Sequence, residues 1–316
     1  MNYGLPYQGS KNRIAKRLVD ALPAAPVLYD VFCGGCAVTH AAMLSGKYQR
    51  FVINDRRGWL PDAFRKAIHG GYAHEDRWIS REDFERLKST DAYAAMCFSF
   101  GNNTRTYMYA RPLERCKRAL HHAIFWRDFA PWGELCPETA DALASGLAPI
   151  EDRKRRRIQA GHFIVESLKA QLAAGTLTPD ILQKPIYRQI RRSKGAMTTV
   201  ETLQSLESLE RLERLPGALT AHGGDYRELC FDEPGIIYCD PPYKDTTGYG
   251  EDCAEPFCHD EFYGWCEAQK LPVYISEYQM PEERFACIAE WDKVTTLAAK
   301  TTSHVTERLW RPRTQL

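Results

Sequence analysis

Gly235-Ile236-Ile237-Tyr238-Cys239-Asp240-Pro241-Pro242-Tyr243 is the stretch whose reading decides the fold. Its first five residues form a short apolar run of the kind buried on both faces of a sheet. A polar tetrad begins where that run stops. Ligands of open α/β sheets bind outside the carboxyl ends of the strands, which is where the tetrad stands. Two consecutive prolines stiffen the backbone and remove two N–H donors, leaving carbonyls free to accept. An acid, a stiff carbonyl and an aromatic ring side by side suit a flat heterocycle carrying an exocyclic amine. The amine would donate to Asp240 and the Pro241 carbonyl, with the ring stacked on Tyr243. A plain turn is the competing reading of any such string, and the flanking elements weigh against it.

Working outward, Val27–Phe32 is a second apolar run, ending in Gly34-Gly35 before helical spacing over Ala37–Leu44. Phe51-Val52-Ile53 is a third, ending at Asn54-Asp55 with a helix expected from Pro61 to Ile68. Strand, helix and strand in this order make a parallel βαβ unit. Glycine at the first turn lets backbone approach a ligand, and an acid about twenty residues later is placed to bind ribose hydroxyls. Near the start, Pro6-Tyr7-Gln8-Gly9-Ser10-Lys11 is a glycine-serine turn presenting a lysine. Residues 12–22 have helical spacing. Strands resume after the middle of the chain at Leu271–Ile275 and Val305–Trp310, with a helix over His259–Ala268 between the tetrad and the first of these.

Between about 70 and 198 strand signals are few. Ser80 followed by Asp83 predicts a helix start for Arg81–Lys88, and residues 111–127 and 153–174 have helical spacing. The expected architecture is therefore α/β, with a catalytic sheet domain from 1–69 plus 199–316 and a mostly helical insert at 70–198. Leu203, Leu206, Leu209, Leu212 and Leu215 recur every third residue, which on an α-helix sweeps a wide stripe and on a solenoid coil points one way. Five steps are too few for a solenoid, so a packed helix or small local coil is expected.

The chain has 316 residues, 44% hydrophobic and 26% charged, a composition that excludes disordered and fibrous classes. Its formal net charge of +1 argues at first against a nucleic-acid binder. That value hides an asymmetry. Residues 151–197 hold eleven Lys and Arg against four acids, so this stretch is +7 and the remainder −6. Arg105, Arg111, Arg115, Lys117, Arg118 and Arg127 add to the middle against Glu114 alone. A basic insert suits an anionic partner. No apolar run approaches the ~20 residues of a bilayer span, and the start of the chain lacks a signal-peptide stretch. Eleven cysteines without a tight framework suit free thiols in a reducing cytosol. The expected location is the cytoplasm.

These pieces, in this order, resemble the Dam-type DNA adenine N6-methyltransferases. That family carries a P-x-x-G-x-K segment, then D-x-F-x-G-x-G, an inserted target-recognition domain, and DPPY. The likeness covers roughly 1–69 and 199–316, and extends to Val273–Tyr278 and Thr306-Glu307-Arg308-Leu309. It implies a Rossmann-like methyltransferase sheet with an inserted helical DNA-recognition domain, in the cytoplasm of a bacterial or phage-infected cell. S-adenosylmethionine would be the cofactor and double-stranded DNA the partner, with the target base flipped out and no metal needed. Tyr7, Lys11, Asp30, Phe32, Gly34, Asp55 and Asp225 would then bind the cofactor, with Tyr7 and Lys11 near its methionine part, Asp55 on the ribose and Asp225 near its adenine. Asp240, Pro241 and Tyr243 would hold and activate the target base. Cys36 stands where the family has its second glycine, and a side chain there could crowd the cofactor, with Gly35 supplying room.

Within the insert, Asn102, Asn103 and Arg105 are candidates for base edges, since Asn pairs with adenine and Arg with guanine. Arg153–Arg157, Arg155 among them, and Arg188, Arg191, Arg192 and Lys194 are candidates for phosphates. Other readings stay open. N4-cytosine methylation uses a similar tetrad. A catalytically inactive DNA-binding relative, or a protein or RNA methyltransferase, shares many of these features. Cys33-Gly34-Gly35-Cys36 is also a C-x-x-C that could be redox-active. Cys253, Cys258, His259 and Cys266 could in principle hold zinc, although their spacing matches no common pattern. The target sequence, and whether a restriction nuclease accompanies the enzyme, are not written in these residues.

Overall fold

The computed structural model describes residues 2–192, 197–215, 217–243, 257–298 and 301–316. It divides into two compact units, Met1–Gly71 with Ser208–Leu316, and Tyr72–Glu207. The first unit is built on a seven-stranded sheet. Its strands are β1 (Val27–Asp30), β2 (Arg50–Asp55), β3 (Ala218–Gly223), β4 (Gly235–Cys239), β5 (Val273–Glu277), β6 (Phe285–Ala298) and β7 (Thr301–Pro312). Across the sheet they run β3-β2-β1-β4-β5-β7-β6. The first five are mutually parallel, and β7 enters antiparallel between β5 and β6. This is the expected Rossmann-like arrangement.

Alternation along the central strands sorts side chains to two faces. Val27, Tyr29, Ile237, Cys239, Val273 and Ile275 join Phe262, Tyr263 and Cys266 of the helix His259–Ala268 in one apolar cluster. Asp30 points to the opposite face, where the Thr39 hydroxyl of the helix Ala37–Ser45 donates to it at 2.6 Å. The chain winds one way from β1 to β2 and β3, and the other way from β4 to β5. The switch point between β1 and β4 is where such a sheet opens a crevice.

Two strands escaped the sequence reading. β3 is a half-exposed edge strand, Ala-Leu-Thr-Ala-His-Gly, with too little apolar alternation to stand out. β6 carries charged residues among its apolar ones and is held chiefly by its long pairing with β7. The leucines at period three straddle two helices. Leu203 and Leu206 lie on the α-helix Thr198–Glu207, while Leu209 and Leu212 are buried on a seven-residue 3₁₀ helix, Ser208–Arg214. Three residues per turn is the period of that second helix.

The second unit is helical, and among its described residues the one β-pairing is an isolated bridge between Ser99 and Tyr107. The helix Arg81–Leu87 begins as expected, with the Ser80 side chain accepting from Asp83 N at 3.1 Å. The helices Arg111–His121, Arg153–Ala173 and Pro185–Arg192 carry most of its basic residues. The helix Thr198–Glu207 belongs to this unit, so the expected boundary at 198 moves to Glu207. Val200, Leu203 and Leu206 are buried, the Tyr109 and Thr199 hydroxyls share a 2.7 Å hydrogen bond, and Glu201 pairs with Arg157.

Candidate active site

A cavity of about 550 Å³ opens at the carboxyl ends of β1 and β4. Asp30 and Tyr238 are register partners across those strands, and Val31 N donates to Tyr238 O at 2.9 Å. The last residue of β1 is thereby set beside the strand that leads into Asp240. All seven residues expected to bind a cofactor line this one cavity: Tyr7, Lys11, Asp30, Phe32, Gly34, Asp55 and Asp225. Asp240 and Tyr243 line it too. Pro241 is buried and does not, whereas its neighbour Pro242 does.

The loops around the cavity are tied to one another by backbone and carboxylate. Asp55 Oδ2 accepts from Gly34 N and Oδ1 from Arg57 N, each at 2.9 Å, so one carboxylate joins the loops after β1 and β2. Leu5 N donates to Gly35 O at 2.7 Å, laying the N-terminal segment over the glycine loop. Gly4 makes that approach possible. Its φ is +71°, and a Cβ there would lie 2.2 Å from Gly35 O. Cys36 occupies the left-handed region with φ +56°, where a glycine would be at ease, yet its side chain is buried and does not line the cavity. It therefore does not crowd a ligand. Burial raises the Cys36 thiol, and raises that of Cys33 well above the usual range. Thiols held protonated in this way are poor redox nucleophiles, against the C-x-x-C reading.

The acids differ in state. Asp30 is only 1% exposed, and burial pushes its carboxyl up to about 7, against the opposing hydrogen bond from Thr39. Its Oδ1 has no hydrogen-bond partner among the described residues. Asp225, by contrast, is held below the usual range by Arg227, which donates Nε–H to Oδ1 at 2.8 Å and Nη2–H to Oδ2 at 2.9 Å. Lys11 also reaches the tetrad: its Nζ lies 2.7 Å from Asp240 Oδ1 and 4.4 Å above the Tyr243 ring. Glu307, fully buried on β7, lies 3.6 Å from the same ammonium and accepts from the Tyr243 hydroxyl.

Sequence reasoning missed the aromatic wall. Phe32 packs against Tyr226, Phe257 and Phe262 with ring centroids 5.2, 5.9 and 5.5 Å away, and Tyr226 and Phe257 line the cavity. The signal in sequence was only the proximity of Tyr226 to Asp225. Arg57, which donates to the Tyr7 hydroxyl at 2.8 Å, was missed as well. Of the suspected zinc group, Cys258 and His259 line the cavity, Cys266 is in the core, and Cys253 lies outside the described residues. Among the described residues no three His, Cys, Asp or Glu gather as metal ligands.

Residues 7–119 match the family model of the D12 class N6 adenine-specific DNA methyltransferases. That match, over about a third of the chain, supports an adenine-specific DNA methyltransferase. No curated protein matches the chain. The matched span contains six of the seven expected cofactor residues and the loop around Asn102, while the Asp240 tetrad lies outside it.

In the helical unit the basic residues divide. Arg153 donates to Glu75 O and pairs with Glu207, Arg156 donates to the carbonyls of Ile124, Ile150 and Glu151, and Arg157 pairs with Glu201. These three brace the unit, so the expectation of phosphate contacts from all of 153–157 is corrected to Lys154 and Arg155, which are exposed. Arg188, Arg191 and Arg192 are exposed, and Lys194 lies outside the described residues. Arg111, Arg115 and Arg118 are exposed at spacings that share one helix face. Both candidate asparagines hold their own loop. Asn102 Nδ2 donates to Met96 O and Thr202 Oγ1, and Asn103 Oδ1 accepts from the backbone N–H of Arg105 and Thr106. What this loop presents is Phe100, 66% exposed beside three residues of positive φ.

Proposed function

We propose that this methyltransferase binds S-adenosylmethionine in the switch-point cavity and methylates adenine N6 in double-stranded DNA, with the target base turned out of the helix. The observation that carries the reading is the meeting of Tyr7, Lys11, Asp30, Phe32, Gly34, Asp55, Asp225, Asp240 and Tyr243 around one cavity. The donor set suits such a cofactor. A buried, unpartnered Asp30 oxygen would meet a ligand ammonium, Asp55 would accept from ribose hydroxyls, and the Phe32–Tyr226–Phe257 wall would take an adenine ring. S-adenosylmethionine, when bound, supplies an electrophilic methyl group.

This chain's own residues do the rest. Adenine N6 is a weak nucleophile because its lone pair is delocalised into the ring. The Asp240 carboxylate and the Pro241 carbonyl accept its N–H bonds, favouring a pyramidal nitrogen with a localised lone pair. Tyr243 offers a ring to stack on, and offsets part of the few kcal/mol that unstacking a base costs. Lys11 already stands over that ring, so a stacked base takes the opposite face or displaces the ammonium. In the helical unit, Arg155, Arg188, Arg191 and Arg192 hold phosphates, which give affinity without sequence information. Arg105 reaches base edges, and the exposed Phe100 ring stacks on bases.

Incubation with duplex DNA and methyl-labelled S-adenosylmethionine, followed by digestion to nucleosides, tests this. Label in N6-methyladenine is expected. Label in N4-methylcytosine selects the cytosine alternative, and DNA without label overturns the reading.

A further inference from the structure

Glu307 has no part in the cofactor cavity's lining, yet it is one of the most completely buried charged side chains in the protein. An ionised carboxylate is not taken out of water without partners. Two of its partners belong to the base-binding end of the site. The Tyr243 hydroxyl donates to Glu307 Oε1, and the Lys11 ammonium lies 3.6 Å from that same oxygen. Lys11 is itself only 6% exposed and 2.7 Å from Asp240. The edge of the Tyr278 ring meets Tyr243 at 4.5 Å between centroids, closing another side. The sheet sets this up. The antiparallel pairing Glu277↔Arg308 puts Glu307 one residue beyond the end of β5, at the edge where β4 releases Asp240.

Two carboxylates therefore share one ammonium. If Glu307 were neutral, Lys11 would lean more fully on Asp240, and the acceptor needed for the target amine would be held more tightly by the lysine. The hydroxyl bond also gives the Tyr243 ring one orientation, since an aromatic ring hinged only at Cβ would otherwise turn. Resting on the methyltransferase reading above, we infer that Glu307 is a positioning residue. It shares Lys11 with Asp240, keeping that carboxylate available to the target amine, and it anchors the stacking ring through its hydroxyl.

Glu307→Gln is the discriminating variant, because an amide still accepts from Tyr243 but carries no charge. Its methyl-transfer rate to duplex DNA should fall at least about tenfold while the cofactor Kd, measured by calorimetry, stays within about twofold. In a Lys11→Met background the same substitution should cost nothing further, since its effect runs through the lysine. Tyr243→Phe, which keeps the ring and removes the hydroxyl, reports the second role independently and should slow transfer several-fold. An unchanged rate in Glu307→Gln, or losses that simply multiply in the double variant, would overturn the charge-sharing role, and an unchanged rate in Tyr243→Phe would overturn the anchoring role. Should Glu307→Gln fail to fold, the Tyr243→Phe rate and the Lys11→Met rate still decide, with wild-type rates in both overturning the inference. Wild-type protein that transfers no methyl would overturn the methyltransferase reading and this inference with it, whereas wild-type transfer with an indifferent Glu307→Gln overturns the inference alone.

Discussion

The sheet unit and the helical unit use charge in opposite ways. Around the cavity, charged side chains are held by partners both near and far in sequence: Lys11 on Asp240 and Asp55 on Gly34 N across the fold, Asp55 on Arg57 N and Asp225 on Arg227 within one turn. In the helical unit, residues adjacent in sequence part company, with Arg155 exposed and Arg156 buried against three carbonyls. A run of arginines is therefore not one surface. On a helix, consecutive residues point about 100° apart, so a five-residue basic run must face both inward and outward. Charge counted along a sequence overstates what a partner can touch.

Asp30→Asn probes the sheet side of this contrast. Because burial raises the Asp30 carboxyl to about 7, the folded protein holds a proton there that the unfolded chain has released above about 4. The group's contribution to stability thus falls as pH rises from about 4 to about 7. Asparagine keeps the acceptor for Thr39 and removes that cost, so thermal stability at pH 8 should hold or rise. Cofactor affinity should fall by about 10–100-fold, since the variant cannot offer a charge-assisted hydrogen bond. In the wild type the affinity should strengthen as pH climbs through about 7 and Asp30 ionises, and in the variant it should be flat. Calorimetric titration from pH 6 to pH 8.5 would show which.

On the helical side, Arg156→Ala and Arg155→Ala form a matched pair. The first strands three carbonyls and should cost about 2–3 kcal/mol in denaturant unfolding. The second should leave stability within about 0.5 kcal/mol and lower the salt slope of DNA binding by about 0.9. Equal effects on stability would erase the distinction between bracing and presenting arginines. Replacing Arg111, Arg115 and Arg118 together by Ala tests whether that exposed stripe meets phosphates. The slope should drop by about 0.9 for each phosphate no longer neutralised, for all sequences alike, with little change in methyl transfer at low salt.

Much of the sheet unit was legible because its candidate site residues sit at strand ends, where an apolar run followed by glycine or by Asp-Pro-Pro-Tyr marks both the element and the cavity. Edge strands such as β3 carry little apolar signal, and β6 is defined by its pairing more than by its pattern. The role of Lys11 could not be read, since proximity between residues 11 and 240 is created by the fold. Glu307 gave no sign beyond being an acid in a strand, because burial is a tertiary fact. In the helical unit, Asn102 and Asn103 looked like base readers by residue type, yet their hydrogen bonds go to their own loop and, for Asn102, to Thr202 of the helix Thr198–Glu207.

Everything proposed for the sheet unit turns on methyl transfer taking place at the tetrad that follows β4. The most direct test is the single-turnover rate of labelled methyl transfer to duplex DNA by wild type and Asp240→Ala, with the cofactor Kd measured on the same preparations. The rate should fall by about 10²–10³ or more while the Kd stays within about threefold. Transfer by Asp240→Ala at the wild-type rate would place the chemistry elsewhere.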